Sequence, residues 1–544
     1  MTSKWAWTAS CTCYWSTPPV DGSCGWCRRP RADGLAEPRR RFTAFVIAGV
    51  ALVCAASNVH AQRYEIDPLS LAYTEHCSVC HGENLEGTAL GTPLVGAALR
   101  YGDTAAEIGA SIANGSPAQG MPGWSEILPE TEIRNLAIYI VDLRANIDRW
   151  DNRRDVPLVI PEGTVASALH DFRIEAFASG SATKIYSIAP LPDGGFLLTE
   201  KRRGVRIISA DGVVSPAIEG TPKVDVNDDP NGRWPNRPHG LGWLMEVATH
   251  PDYERNGWIY LQYGDRCIDC NAVGGAVSMS RLVRGRIEDG RWVDEETLWG
   301  VGVERYTWRT DMAAGGRICF DDDGHVFISV GFKGLSTSHG IQDLSEPYGK
   351  IHRMHDDGRV PADNPFVDVP GAWPTTWTYG HRAPEGLEFN RRTGQLWSTE
   401  MGPRGGDEIN LLLPGRNYGW PLTSKGVDYD GTPVEYGKEL GITFDLADIE
   451  QPVVDLTPAP AVSSFVFYDG DAFPSWRNHM LVGSLRATDL FRVEVDGDRL
   501  VEQETLIEDL ARIRDVEVGV DGLVYLLLEH ASGWSIVRLV PVSG

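Results

Sequence analysis

Six copies of one short pattern recur between residues 166 and 544 of this 544-residue chain. Each copy has a Gly or Asn in a turn and then a run of branched or aromatic apolar residues, which predicts a buried strand. The copies begin at Asp193, Asn256, Asp323, Thr393, Arg477 and Asp521. A repeat spaced by 44 to 84 residues is typical of radial blades. The pattern therefore predicts an all-β six-bladed β-propeller, with a β-sandwich as the alternative.

The region before the propeller has a different pattern. A chain of this length needs more than one hydrophobic core, and residues 62–146 are compact and helical in pattern. An apolar segment follows the capping-type Thr131. Residues 147–165 are charged and contain Pro157 and Pro161, which is typical of a linker. The sequence thus predicts a small all-α domain, a linker and a propeller at 166–544.

Residues 1–61 are predicted to be an extension and a secretory signal peptide. Three arginines, 39–41, precede an apolar run from Phe42 to about Ala56, and a small-residue site ends at Ala61. The run is shorter than the ~20 residues that a membrane-spanning helix needs. We expect cleavage after Ala61, export to the periplasm and no membrane span in the mature protein. A lipid anchor at Cys54 is not expected, because Val53 before it is not small.

The mature protein is strongly acidic. The whole chain has a net charge of −25, and the first 61 residues, with seven Lys or Arg and three acids, carry +4, which leaves −29 for the remainder. Such a surface repels phosphate backbones, so nucleic acid is not an expected partner. The negative charge is explained most simply by a solvated, soluble surface. The more specific hypothesis is that the acidic surface binds a basic redox partner.

The segment Cys77-Ser78-Val79-Cys80-His81 has the spacing at which a c-type haem is attached. Two thiols on one helical turn reach the two haem vinyl groups, and His81 meets the iron. Met121, in a Gly-Met-Pro-Gly loop, is the predicted sixth ligand, and His/Met ligation suits electron transfer. The region resembles class I cytochrome c domains, and the helix at Asn135–Leu143 is expected to cover the haem edge. A disulfide beside a surface histidine is the alternative.

Three segments of the propeller resemble the glucose/sorbosone dehydrogenase family. Residues 379–387 read YGHRAPEGL, residues 402–410 read GPRGGDEIN, and residues 417–421 read NYGWP. That family consists of six-bladed propellers that oxidise aldose sugars with pyrroloquinoline quinone (PQQ) and Ca²⁺, and the resemblance covers residues 170–540. It implies a PQQ-dependent sugar dehydrogenase.

The resemblance also implies roles for individual residues. A planar tricarboxylate needs cationic side chains, and Ca²⁺ prefers hard oxygen ligands. By position, the residues that contact PQQ are Arg382, Tyr429, Arg486, Arg512 and Arg514. Gly402 and Pro403 would give carbonyl oxygens to the active-site Ca²⁺, and Glu408 and Tyr418 would bind a structural Ca²⁺. Taken singly, each arginine also fits a surface or loop-pairing charge.

The catalytic positions depart from the family pattern. The general base, a His in a His-x-Gly-Gly-Arg element, is Ala313 here, and its acidic partner is Phe332. A cofactor-contacting Gln and Asn are replaced by Leu241 and Ala383. Oxidation of a sugar hydroxyl needs a base near that oxygen. The candidates for a substitute base are His239, Asp311 and His250, of which His239 is preferred and His250 is expected to be structural.

Three cysteines in the propeller remain outside these motifs. Cys267 and Cys270 have the spacing of half a zinc site, but a loop disulfide is favoured because no second pair follows. Cys319, in an apolar strand, is expected in the core. Together the features predict a periplasmic quinohaemoprotein that oxidises an aldose sugar or related alcohol with PQQ and passes electrons to haem c and then to a periplasmic acceptor. The alternative is a propeller that binds a carbohydrate without turnover, or acts on another substrate, beside a haem module.

Overall fold

The computed structural model describes residues 67–145, 157–181, 184–223, 241–308, 311, 313–333 and 338–542. The predicted signal peptide, the cleavage site and the N-terminal half of the linker lie outside these residues. Among the described helices, none is long and apolar enough to cross a membrane.

Residues 67–145 form a helical domain. Its helices are α1 Pro68–His76, α2 Ser78–His81, α3 Ala105–Asn114 and α4 Glu130–Ala145, with a short 3₁₀ turn at Pro117–Gln119. Asp67 caps α1 by accepting a hydrogen bond from the Leu69 amide at 3.0 Å. Thr104 and Glu107 form a capping box at the start of α3. The helices enclose one core of Tyr73, Leu85, Ile108, Ile112, Leu128, Ile133, Leu136, Ala137, Ile140 and Val141.

The described residues of the propeller form 23 strands. They are β1 Phe172–Gly180, β2 Ile185–Pro190, β3 Phe196–Glu200, β4 Gly204–Ile208, β5 Leu244–Thr249, β6 Ile259–Ile268, β7 Ala276–Glu288, β8 Arg291–Trp299, β9 Gly315–Phe320, β10 His325–Val330, β11 Lys350–His355, β12 Thr376–Tyr379, β13 Pro384–Asn390, β14 Gln395–Glu400, β15 Glu408–Leu412, β16 Val454–Asp455, β17 Val462–Phe467, β18 Met480–Ser484, β19 Leu490–Asp496, β20 Arg499–Ile507, β21 Arg512–Val518, β22 Val524–His530 and β23 Gly533–Pro541. Short helices α5 Tyr253–Asn256, α6 Ser338–Ile341 and α7 Gly437–Leu440 lie in the connections, with 3₁₀ turns at Val303–Arg305, Leu446–Asp448 and Pro474–Trp476.

These strands form six antiparallel sheets arranged in a ring. Their orders are β2-β3-β4, β5-β6-β7-β8, β12-β11-β10-β9, β13-β14-β15-β16, β17-β18-β19-β20 and β1-β23-β22-β21. The innermost strands contact one another in the cyclic order β2, β5, β9, β13, β17, β21 and back to β2. In the last sheet, the first strand of the propeller pairs with β23, which joins the two ends of the ring. The predicted six-bladed propeller is confirmed.

The six sequence repeats each correspond to the same structural element. The strand after the repeated turn is β3, β6, β10, β14, β18 or β22, which is the second strand of its blade. Second strands have a neighbour on each side and pack between adjacent blades, so their residues are nearly all buried, as the apolar runs predict.

Candidate functional site

The helical domain contains a cavity of about 770 Å³ with the predicted haem ligands on its wall. Cys77, Cys80, His81 and Met121 all line it, together with apolar side chains such as Leu94. Neither cysteine is in a disulfide. The alternative of a disulfide beside a surface histidine is therefore not what the structure shows.

Hydrogen bonds orient His81 and the loop that carries Met121, the two predicted axial ligands. Nδ1 of His81 lies 2.8 Å from the Thr92 carbonyl oxygen, so Nδ1 donates and Nε2 keeps the lone pair that a metal ion needs. Met121 lies in a loop closed by two reciprocal backbone bonds with Ser116, of 2.9 and 3.2 Å. The arrangement fits a haem with His/Met ligation.

Helix α4 packs against the helical core on one face and contacts the propeller on another. Leu136 and Ile140 face the helical core, and Ile140 lines the haem cavity, as predicted for a helix that covers the haem. Asn135, at the start of the segment predicted to cover the haem, points the other way and donates a hydrogen bond to the Gly431 carbonyl of the propeller at 2.8 Å. Residues three or four apart share one face of a helix, so Arg134, Ile138 and Asp142 also face the propeller.

Arg382 lies in the propeller between two aromatic rings. Its guanidinium carbon is 5.1 Å from the centroid of Phe332 and 5.2 Å from that of Trp420, which are cation–π distances. Nη1 donates to the Met401 carbonyl at 2.9 Å, whereas Nε is buried with no hydrogen-bond partner among the described residues. Phe332, at the position of the family's acidic residue, therefore supports the predicted cofactor arginine.

The backbone of Arg382 is held by Glu400 at the end of β14. One carboxylate oxygen of Glu400 accepts the Arg382 amide, and the other is 2.9 Å from Nδ1 of His381. Nε2 of His381 contacts the Thr378 hydroxyl at 2.8 Å, and the ring stacks on Tyr418. The segment that carries Arg382 is thus fixed by contacts on both sides.

A polar cavity of about 150 Å³ lies beside Arg382. Glu400 and Glu408, paired across β14 and β15, line it with Gly402 and Tyr418. Desolvation, and then the charge of Glu400, raise the pKa of Glu408 well above its usual value, which is the situation that a bound cation would relieve. The Tyr418 hydroxyl donates to the Leu411 carbonyl at 2.6 Å and accepts from the Leu413 amide at 2.8 Å, so this hydroxyl is already engaged within the protein.

The loop after β14 is compact enough to present carbonyl oxygens. A Cβ on Gly402 would lie 2.3 Å from the Gly405 carbonyl oxygen and 2.5 Å from that of Gly406. The Gly402 amide donates to Asp407 at 2.9 Å, and Asp407 also accepts the Val462 amide. No group of three His, Cys, Asp or Glu side chains in the described residues could hold a metal ion. Ca²⁺ at this loop would therefore depend on backbone carbonyls, which Ca²⁺ accepts.

A second cationic group lies at the inner end of β21. Arg512 and Arg514 both contact Glu529, at 3.2 and 3.0 Å. Burial raises the pKa of Glu529, but Arg514, Arg512 and Lys201 outweigh burial and lower it to about 2. Burial, and then Arg514, lower the pKa of Lys201 to about 7, although Glu529 and Glu385 oppose this shift. Two arginines and Lys201 therefore share two carboxylates, Glu529 and Glu385, the second of which lies 4.0 Å from Arg514, and protonation of Lys201 would leave positive charge for an anion. Lys201 was missed in the sequence because it is isolated from every motif.

The remaining predicted cofactor residues lie near helix α4 or at the surface. Burial raises the pKa of Asp142, and Arg404 and Arg486 oppose that rise, so Arg486 lies near the cytochrome helix. Tyr429 is 67% exposed, and its hydroxyl is 3.3 Å from Nη2 of Arg382. Of the four predicted arginines, Arg382 alone lines the 150 Å³ cavity. Arg382, Arg486 and the pair on β21 belong to separate blades, and the other three are not in the lining of the cavity beside Arg382.

Two of the three candidate bases contact charged side chains in the structure. Asp311 forms a buried ion pair of 2.7 Å with Lys333, whose ammonium group also donates to the Ser278 carbonyl at 2.8 Å. His250 contacts Asp356 at 3.1 Å and has the expected structural role. His239 lies outside the described residues and stays a prediction. Lys333, directly after the Phe332 position, was not anticipated from the sequence.

The propeller cysteines behave as expected. Cys267 and Cys270 form a disulfide, which excludes their use as half a zinc site. Cys319 is buried, and burial raises the pKa of its thiol well above the usual value.

Comparisons with known proteins agree with this architecture. Residues 182–538 match the glucose / sorbosone dehydrogenase family, and residues 65–140 match the family described as cytochrome C oxidase, cbb3-type, subunit III. The chain is 35% identical to the aldose sugar dehydrogenase YliI of Escherichia coli over 353 residues, which are 64% of this chain and 88% of that protein. It is 24% identical to the quinoprotein glucose dehydrogenase B of Acinetobacter calcoaceticus over 465 residues, 70% of this chain and 89% of that protein.

Among solved structures, the soluble aldose sugar dehydrogenase of Escherichia coli in its apo form is similar, with a TM-score of 0.58 and 31% identity. The superposition covers 68% of this chain and 100% of that one. The chain therefore belongs to the glucose/sorbosone dehydrogenase family, and it carries a cytochrome c domain ahead of that family's propeller.

Proposed function

We propose that this protein is a periplasmic quinohaemoprotein dehydrogenase. The propeller oxidises an aldose sugar or a related alcohol with PQQ, and the electrons pass to a haem c attached through Cys77 and Cys80. A periplasmic one-electron acceptor then reoxidises the haem. The fused domains support this proposal, because a tether raises the effective concentration of the electron acceptor.

One observation carries the proposal. Helix α4 lines the haem cavity through Ile140 on one face, and through Arg134 on its other face it lines the propeller cavity that contains Arg382 and Gly402. A single helix, about 10–12 Å across with its side chains, therefore lies between the cavity of the helical domain and the cavity beside Arg382. A propeller that used a diffusing acceptor would have no need of this placement.

The residues of the propeller suit a carboxylated quinone. PQQ, when bound, supplies an electrophilic quinone that accepts two electrons from the substrate. Arg382, with a buried unpartnered Nε, and the group of Lys201, Arg512 and Arg514 offer charge-assisted hydrogen bonds to carboxylates. The carbonyl-rich loop at Gly402 would hold Ca²⁺ there.

Electron and proton balance requires two further partners. Oxidation of a C1 hydroxyl to a lactone releases two electrons and two protons, and the haem takes one electron at a time. The external acceptor must therefore reoxidise the haem within each turnover. The substrate hydroxyl proton needs a base, for which His239 is our proposal, since Ala313 cannot accept it.

A second candidate function follows from the same substitution. A propeller with Ala313 and Phe332 at the acid/base positions would suit a domain that binds a carbohydrate or the quinone without turning over an aldose. In that case the haem would serve only as a separate electron-transfer module.

Absorbance spectroscopy separates the two candidates. The protein is produced in a host that matures c-type cytochromes, loaded with PQQ and Ca²⁺, and mixed with a panel of aldoses and alcohols. We expect at least one of these substrates to reduce the haem, and only in the PQQ-loaded protein. Binding of PQQ without haem reduction by any substrate would favour the second candidate, and failure to bind PQQ would exclude the dehydrogenase.

A further inference from the structure

The side chain of Arg404 crosses from the propeller to the cytochrome domain. Its Nη1 and Nη2 lie 2.7 and 2.8 Å from the two carboxylate oxygens of Asp67, the N-cap of α1. Its Nε and Nη2 lie 3.1 and 3.0 Å from one carboxylate oxygen of Asp142 on α4. One guanidinium therefore holds two helices, with the bidentate geometry that only arginine provides.

The ion pair between Arg404 and Asp142 is largely removed from water. The side chain of Asp142 is 4% exposed and that of Arg404 is 18% exposed. Leu69, Ile138 and Val427 form a buried apolar cluster across the same boundary. Because removal of one partner would leave a buried charge without compensation, loss of Arg404 should weaken this contact strongly.

The Arg404 loop also belongs to the candidate cofactor site. Gly402 and Gly406, on either side of Arg404, line the 150 Å³ cavity. The backbones of Arg404 and Val427 exchange two hydrogen bonds of 3.1 and 2.9 Å, which ties the arginine to the apolar cluster. The Arg404 side chain therefore connects α4 directly to the loop that we propose binds Ca²⁺.

We propose that Arg404 is a positioning residue for electron transfer, because it clamps the cytochrome domain on the cofactor face of the propeller. This inference rests on the proposed function. A haem held by Cys77, Cys80, His81 and Met121 would supply an Fe(III)/Fe(II) couple that takes one of the two electrons given up by the substrate at a time, and the two substrate protons would leave to solvent. The clamp holds α4 where its opposite faces line the two cavities.

Three variants test the clamp in the haem-loaded full chain. Arg404→Gln removes the charge and the fork, and Arg404→Lys keeps a point charge that cannot fork. Arg492→Gln is the matched control, because Arg492 also binds two carboxylates, Glu502 at 2.6 Å and Glu504 at 2.8 Å, but within one blade.

The first readout needs neither PQQ nor substrate. Hydrogen–deuterium exchange is followed by mass spectrometry in residues 130–145 and 425–433. We expect exchange in both segments to rise about tenfold or more in Arg404→Gln through local opening, less in Arg404→Lys, and not at all in Arg492→Gln. Unchanged exchange in Arg404→Gln would overturn the clamp.

The second readout is the rate of haem reduction after substrate is added to the PQQ-loaded protein. It is compared with the reduction of a dye that takes electrons directly from the propeller. We expect Arg404→Gln to slow haem reduction about tenfold or more relative to dye reduction in the same variant, since only the docked fraction transfers electrons; the ratio of the two rates removes any effect that the substitution has on the cofactor loop itself. Haem reduction at the wild-type rate would overturn the proposal and leave the proposed function intact. A wild-type haem that no substrate reduces would refute the proposed function, and the exchange measurement would still decide whether Arg404 holds the domains together.

Discussion

The haem cavity of about 770 Å³ takes its expected attachment cysteines and axial histidine from the segment Cys77–His81 and its expected axial methionine from Met121, whereas the propeller cavity of about 150 Å³ collects residues from α4, β14, β15 and the loops between blades. The first is large and mainly apolar in its lining, and the second is small and charged. A haem is bound by covalent bonds and two axial ligands, so a short motif can define its site. A carboxylated quinone is bound by charges that a propeller must bring together from separate blades.

This difference predicts that the two sites can be inactivated independently. The double variant Cys77→Ala/Cys80→Ala should lose covalent haem completely, because both attachment points are gone. Sugar oxidation with the dye should persist, because the propeller closes its own ring through β1 and β23. Haem-stained gels and dye assays measure the two effects. Loss of dye reduction in a protein whose propeller is folded would show that the sites are not separable.

The propeller site should depend most strongly on Arg382. Arg382→Ala removes the guanidinium between Phe332 and Trp420. Charge-assisted hydrogen bonds contribute about 1.5–3 kcal/mol each, so we expect PQQ to bind about 10- to 150-fold more weakly, with the haem spectrum unchanged. Arg391→Ala, which removes an exposed ion pair with Asp322, is the control. Equal PQQ affinity in both variants would exclude Arg382 from the cofactor site.

An effect of intermediate size is expected at Ala313, where the family has its general base. A positioned base contributes about 10²–10⁴-fold to a rate, and a newly introduced one would achieve only part of this. We expect Ala313→His to raise kcat with aldoses about tenfold, whereas Ala313→Gln, of similar size but without a base, should not. A kcat that both substitutions leave unchanged would indicate that the base lies elsewhere in the chain and is already sufficient.

The smallest effect concerns Lys201, whose pKa is lowered to about 7 from its ordinary value of 10.5. At pH 8 this amine is therefore mostly neutral in the folded protein, and added carboxylates would raise its pKa. We expect PQQ binding to take up a proton, approaching one per site, at pH 8 and almost none at pH 6, where Lys201 is already protonated. Calorimetry in buffers of different ionisation enthalpy measures this uptake, and Lys201→Met should abolish it. Equal uptake in the variant would show that another group titrates.

The sequence predicted the parts of the molecule that depend on local patterns. The turn before each of β3, β6, β10, β14, β18 and β22 was recognisable because Gly or Asn permits the turn and the following strand is buried. The haem ligands were recognisable because two cysteines and a histidine share one turn of α2.

Contacts between distant residues were not predictable from these patterns. Arg404 lies 337 residues from Asp67 and 262 from Asp142, and no periodicity links them. In the sequence, Phe332 indicated only that the family's acidic residue is absent. The folded chain shows in addition that the Phe332 ring packs against the Arg382 guanidinium. The helix from Asn135 to Leu143 was predicted to cover the haem, but the sequence did not indicate that the Asn135 side chain contacts the propeller.

The central claim is that electrons reach the haem within one chain, across helix α4. The most direct test follows haem reduction in PQQ-loaded protein, after a saturating pulse of substrate, over a hundredfold range of protein concentration. We expect a first-order rate constant of haem reduction that does not change with protein concentration. A rate that rises in proportion to protein concentration would mean that electrons pass between molecules, and it would contradict the role given to α4 and Arg404.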